Sequence, residues 1–255
     1  MFKQSVGELA ARPHIVAADA TVTQAADVMT REGVSCLAAV RGARVVGFLT
    51  ETALIRHLDV DLDPDTSILE YLSRPIGGIP RDMAVQEAVR VMLDRRERHL
   101  PVMDLGGSLF GLVTEKELVD ALAVDFMVEN AVCSDLMRAD VLVLAPERSV
   151  RDALDQMRAK SADCVLIVAA GRPTGIFSER DATAKIMGRP ERLPEPVANY
   201  MTGPVISVPL EAMVYKVIQF MRQKGVRRVA VVAADGSLAG LLSQREILAY
   251  ARRMG

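Results

Sequence analysis

Three histidines (His14, His57, His99) and three cysteines (Cys36, Cys133, Cys164) are the residues of this 255-residue chain best suited to acid–base, nucleophilic or metal chemistry. Their spacing does not gather them. A chemical step needs a nucleophile or base with an oriented partner, and the histidines fall in different elements without one. The cysteines lie far apart with no CxxC pair, so neither a disulfide framework nor a zinc site follows. There is no glycine-rich phosphate loop before a helix, no HExxH and no nucleophile elbow. The expectation is a protein without catalytic residues, metal site or catalytic cofactor.

Composition narrows the class further. Half the residues are apolar and a quarter are charged, which reads as a folded globule with a real core. The formal charge of −2 argues against a nucleic-acid partner, which usually meets a basic face. The longest apolar stretch, Cys164–Ala170, is far short of the ~20 residues a membrane-spanning helix needs. The first residues, MFKQSVGELAARP, show no apolar signal core. A cytoplasmic location with no membrane partner is expected.

The informative signal is internal repetition. Four segments read Gly, two apolar residues, then a hydroxyl residue: Gly47–Thr50, Gly111–Thr114, Gly175–Ser178 and Gly240–Ser243. The glycines are separated by 64, 64 and 65 residues. Upstream lie four triplets at i, i+4, i+7: Val22/Ala26/Met29, Val85/Val89/Met92, Val150/Leu154/Met157 and Val214/Ile218/Met221. That spacing puts each triplet on one helix face. Two unrelated markers therefore share one period, and the chain is a fourfold repeat. The helix methionines read as core packing. Cys36 and Cys164 share one repeat position and read as small buried apolar residues.

Each repeat begins with a short apolar strand: Ile15–Ala18, Ile76–Ile79, Val141–Ala145 or Val205–Val208. The amphipathic helix follows, then two strands joined at Gly42, Gly106-Gly107, Gly171 or Asp235-Gly236. A second helix starts at the hydroxyl residue, a favoured N-cap. The unit is β-α-β-β-α. Repeats are expected over 5–58, 66–125, 130–187 and 196–253, with linkers at Asp59–Asp65, Ala123–Asn130 and Gly188–Pro196.

Taken together, a lead-in such as Ser134-Asp-Leu-Met-Arg138, a strand ending in Pro, a helix ending in Met and Gly-x-x-Thr/Ser-x-x-Asp resemble the cystathionine-β-synthase (CBS) domain. The resemblance implies an α+β fold of four CBS repeats paired into two Bateman modules, residues 1–125 and 130–255. It implies an adenosine-type ligand (AMP, ADP or ATP) in clefts between paired sheets. It also implies a homodimer or disc-like assembly, closed within one chain or between two, and an unidentified regulated partner protein.

The family's site transfers residue by residue. Its aspartate, three positions after the hydroxyl, can accept hydrogen bonds from both ribose hydroxyls. Repeat three keeps the full pattern, Ser178-Glu179-Arg180-Asp181, whereas repeat one has Ala53 and repeats two and four have Glu117 and Glu246. Arg180 is placed for a phosphate. So are Arg227 and Arg228 of repeat four, with Arg98 and His99 of repeat two as weaker candidates alongside Thr114 and Glu117. The adenine is expected against Met137, Val141, Val165 and Ile176. Plainer roles stand beside these. Asp181 could be a helix-start carboxylate favoured by the dipole, the arginine pair a solvated strand entry or an inter-repeat salt bridge, and Arg98 with His99 a solvated surface. Two functions remain: an adenine-nucleotide sensor binding mainly in the second module, or a scaffold whose sites have decayed.

Overall fold

The computed structural model describes residues 4–42, 44–56, 65–73, 77–123 and 130–254. His57, Ile76, most of the linker Asp59–Asp65 and the interior of Ala123–Asn130 lie outside the described residues.

Four three-stranded sheets follow one plan. They are Ile15–Ala17, Cys36–Arg41 and Arg44–Thr50; Ile79–Pro80, His99–Met103 and Leu109–Thr114; Val143–Leu144, Cys164–Ala169 and Arg172–Ser178; Ser207–Pro209, Arg228–Val232 and Leu238–Ser243. In each, a short first strand pairs parallel to the second, which pairs antiparallel to the third. The first strands are offset from expectation: Val141–Ala145 is only Val143–Leu144, and Val205–Val208 is Ser207–Pro209. These strands have one neighbour each, so pairing rather than apolarity sets their length.

The helices Val22–Glu32, Val85–Asp94, Val150–Lys160 and Val214–Lys224 carry the four methionine triplets, and every triplet residue is buried. Among the described residues, no helix is long and apolar enough to cross a membrane.

The compact units are not the two halves of the chain. One unit holds Met1–Arg12, Gly77–Val141 and Ile206–Gly255; the other holds Pro13–Ile76 and Leu142–Val205. Repeats two and four thus share one core, in which Val89, Met92, Ile218 and Met221 pack together. Repeats one and three share the other, around Met29, Leu54, Met157 and Phe177. The apolar helix faces decide the partners, because a lone repeat of about 60 residues cannot bury them.

The segment leading into each repeat packs on its chain neighbour. Ser5 and Ala11 bridge to Ala84 and Leu112 of repeat two, and Ser67 and Ser73 bridge back to Thr21 and Phe48 of repeat one. Val132 and Arg138 bridge to Met213 and Leu241 of repeat four, and Pro196 and Thr202 return to Ser149 and Ile176 of repeat three. This crossing explains the glycines of the repeated motif. A Cβ at Gly47, Gly111 or Gly240 would meet the carbonyl oxygen of Ser73, Ala11 or Arg138 at 2.8, 2.8 and 2.7 Å.

Candidate functional site

The hydroxyl residue that ends each third strand lies opposite the first residue of the second strand: Cys36 faces Thr50, His99 faces Thr114, Cys164 faces Ser178 and Arg228 faces Ser243. The helix that follows is tied to the same place. The N–H of Glu51, Glu115, Glu179 or Gln244 donates to the carbonyl of Ser35, Arg98, Asp163 or Arg227. The repeat therefore puts its chemistry-bearing residues at one sheet end, beside a helix start.

In repeat three the helix Glu179–Lys185 begins on Ser178. Asp181 is 5% exposed, and both of its oxygens are engaged. Oδ2 accepts from the Ser178 N–H at 3.0 Å and the Ser178 hydroxyl at 2.7 Å. Oδ1 accepts from Lys185 Nζ and from the Thr202 hydroxyl, each at 2.7 Å. The first pair is a helix cap and the second joins the carboxylate to the segment leading into repeat four. The cap is kept in repeats two and four, where Glu117 bonds Thr114 and Glu246 bonds Ser243 through N–H and hydroxyl, and Lys116 Nζ lies 3.8 Å from the other oxygen of Glu117. At Ala53 the Thr50 hydroxyl accepts from the backbone N–H, and no carboxylate is present.

Sequence reasoning placed Arg180 on a phosphate. In the structure its Nε reaches Glu51 Oε1 at 3.5 Å and its Nη2 donates to the Gly33 carbonyl at 2.8 Å. The reason is the pairing of repeats one and three, which brings their helix starts together; Thr52 in turn donates to Glu179 at 2.9 Å.

The apolar wall is also revised. Val165 is fully buried in the core with Phe177, its partner across the strands. Residues one position away face the other side. There Val143, Leu166 and Ile176 stand in one row across the three strands, and Val143 is 46% exposed. Ile176 was expected and is on this row. Met137 and Val141 belong to the unit of repeats two and four, where Met137 Sδ would lie 2.9 Å from a Cβ at Gly240. The methionine at Gly175 is Met201, brought there by the exchange of lead-in segments.

Arg98, His99, Arg227, Arg228, Thr114 and Glu117 all fall in the other unit. His99 is held down to about 3 by burial first and then by the Arg227 and Arg98 cations. It is a neutral imidazole at physiological pH, so it could offer a phosphate a hydrogen bond but no charge.

Comparison with known proteins gives this repeat its family. The CBS domain model matches residues 6–60, 63–124, 133–188 and 197–253. The chain belongs to the CBS-domain family. Protein MJ1225 of Methanocaldococcus jannaschii has the same fold, with a TM-score of 0.86 at 18% identity over 97% of this chain and 100% of that one. A Pyrococcus horikoshii protein superposes with a TM-score of 0.67 at 18% identity, covering 97% and 99%. A 17.7 kDa protein of Acidianus ambivalens is 29% identical over 110 residues, 43% of this CBS protein and 66% of the relative. The curated relatives MK0525 of Methanopyrus kandleri and MJ1404 of M. jannaschii are matched over 59% and 44% of their lengths.

Proposed function

We propose that this CBS protein is a regulatory sensor that binds an adenosine-type ligand, AMP, ADP or ATP, and performs no chemistry on it. The observation that carries this reading is Asp181. One of its oxygens belongs to the helix cap, and the other meets side-chain donors from outside the cap. Two ribose hydroxyls are donors of the same kind and could be received at the same atom. The row Val143, Leu166 and Ile176, which ends exposed, supports an apolar seat for the base.

The reading keeps residues 1–125 and 130–255 as the functional modules, supported by the reciprocal exchange of lead-in segments within each half. It offers Arg227 and Arg228 as phosphate donors on charge alone, with Arg98 and His99 the weaker set, all four within the unit of repeats two and four. A cytoplasmic location, a homodimer or disc-like assembly and a regulated partner protein belong to the same proposal. Light scattering on the purified chain tests the assembly.

Mass spectrometry of the denatured protein for copurified nucleotide, followed by calorimetry, tests the ligand. Asp181→Ala should weaken AMP binding roughly 5- to 150-fold, the factor for about 1–3 kcal/mol of poorly paired polar groups. Glu117→Ala should change little. Equal affinity of Asp181→Ala and the parent would sink the site.

A second reading is the scaffold. It is favoured by the same carboxylate, because four protein donors already satisfy Asp181. Absence of both copurified nucleotide and measurable AMP or ATP binding would establish it.

A further inference from the structure

We propose that Lys185 and Thr202 are built-in competitors for the sugar of the ligand: they occupy the one oxygen of Asp181 that is not committed to the helix cap, and a ribose diol binds by taking their place. This rests on the reading of Asp181 as the ribose carboxylate.

A carboxylate offers about four lone-pair directions. In Asp181 all four are used, two by Ser178 and one each by Lys185 and Thr202. The Ser178 bonds close the capping box, and releasing them would leave the Ser178 N–H and hydroxyl without this acceptor. Oδ1 is where exchange costs least.

Both competitors are held in place. Lys185 sits one turn after Asp181 on the same helix, and its ammonium also donates to the Tyr200 carbonyl at 2.7 Å. The backbone of Thr202 exchanges two hydrogen bonds with Ile176, at 2.8 and 2.9 Å. Neither donor depends on a chance rotamer of an unsupported loop.

The set occurs at repeat three alone among the described residues. At the place of Lys185, repeat two has Ala121 and repeat four has Tyr250. At the place of Thr202, the segments crossing repeats one, two and four offer Ser73, Ala11 and Arg138. The repeat that retains the aspartate is the repeat that retains its internal donors.

Two consequences follow. Apparent affinity is reduced by the fraction of molecules in which Oδ1 is open. Ligand binding is also felt by Tyr200–Thr202, the chain that leads into repeat four, since both displaced donors are anchored on it.

Calorimetry of the full chain with adenosine and with 2′-deoxyadenosine isolates the diol from any phosphate contact. Thr202→Val and Lys185→Met should each tighten adenosine binding, by roughly tenfold where the open fraction is about one tenth, and 2′-deoxyadenosine should gain far less. Lys185→Met leaves a buried carboxylate without its cation. Thr202→Val preserves the ion pair and the size of the side chain, so it carries the test should the lysine variant fail to fold, as thermal melts will tell. Unchanged or weaker adenosine binding by a folded Thr202→Val overturns the competitor role, while a strong loss in Asp181→Ala leaves the ribose reading standing. Loss of neither kind in Asp181→Ala removes the ribose reading itself.

Discussion

Arg180 of repeat three is an inter-repeat tie to Glu51 of repeat one, which is only 4% exposed. Arg245 does the same for repeats four and two, reaching Glu115 at 3.1 Å and the Glu97 carbonyl at 3.4 Å. Removing either guanidinium takes a charged donor away from a mostly buried carboxylate. Arg180→Ala should lower stability by about 1–2 kcal/mol, the loss of a half-exposed ion pair together with the hydrogen bond to the Gly33 carbonyl. Denaturant titration measures this. In calorimetry the same variant should keep the parent's affinity for AMP, and a tenfold loss would return Arg180 to the phosphate.

The motif glycines differ in what crosses them. At Gly240 the obstacle is the Arg138 carbonyl and at Gly175 it is the Met201 side chain. Backbone cannot step aside as a thioether can. Gly240→Ala should therefore cost about 1–3 kcal/mol and Gly175→Ala clearly less, compared by thermal unfolding. The reverse order would mean the lead-in segments are not held as described.

His99 gives a pH signature. Its folded pKa of about 3 lies below the ordinary value of 6.5. Between those values the unfolded chain binds the extra proton, so stability rises with pH. It is lost as pH falls from about 6.5 toward 3, at up to about 1.4 kcal/mol per pH unit from this one group. His99→Gln should remove that slope from denaturant melts run between pH 4.5 and 7. An unchanged slope would show that His99 is not desolvated.

Cys133, buried and beside Asp135, has its thiol pushed up to about 11, burial being the larger cause. Thiolate is the reactive form. A disulfide reagent at pH 8 should label Cys133 in the native protein only at the rate of opening, and fully once urea unfolds it. Immediate labelling would contradict the burial.

Much of this was legible in the sequence because it is local. The triplets ending in Met29, Met92, Met157 and Met221 are a helix face, and Thr114 or Ser178 caps a helix through chain neighbours alone. Lys185 also carried a local signal, four residues after Asp181 on one helix, where opposite charges meet. Thr202 did not, because a segment 21 residues on reaches Asp181 only through a tertiary crossing. Val165 lies in the core and not on the lining, because one step along a strand exchanges core for surface, and apolar runs such as Cys164–Ala169 hide the parity. The partner of each repeat was hidden too. Four similar apolar helix faces fit one another in several ways, and only packing selects one with three and two with four.

The cores cut across the order of the chain, and this bears on what half a molecule would be. Cutting between residues 124 and 129 would leave every sheet and every exchanged segment intact, yet would divide both hydrophobic cores. A two-repeat fragment would carry two sticky helix faces and no mate for either. The cheapest remedy is a second copy of itself, matched by twofold symmetry. The full chain is in this sense a dimer tethered end to end, in which the two subunits, no longer obliged to be identical, are free to specialise: one kept the aspartate, and the other did not.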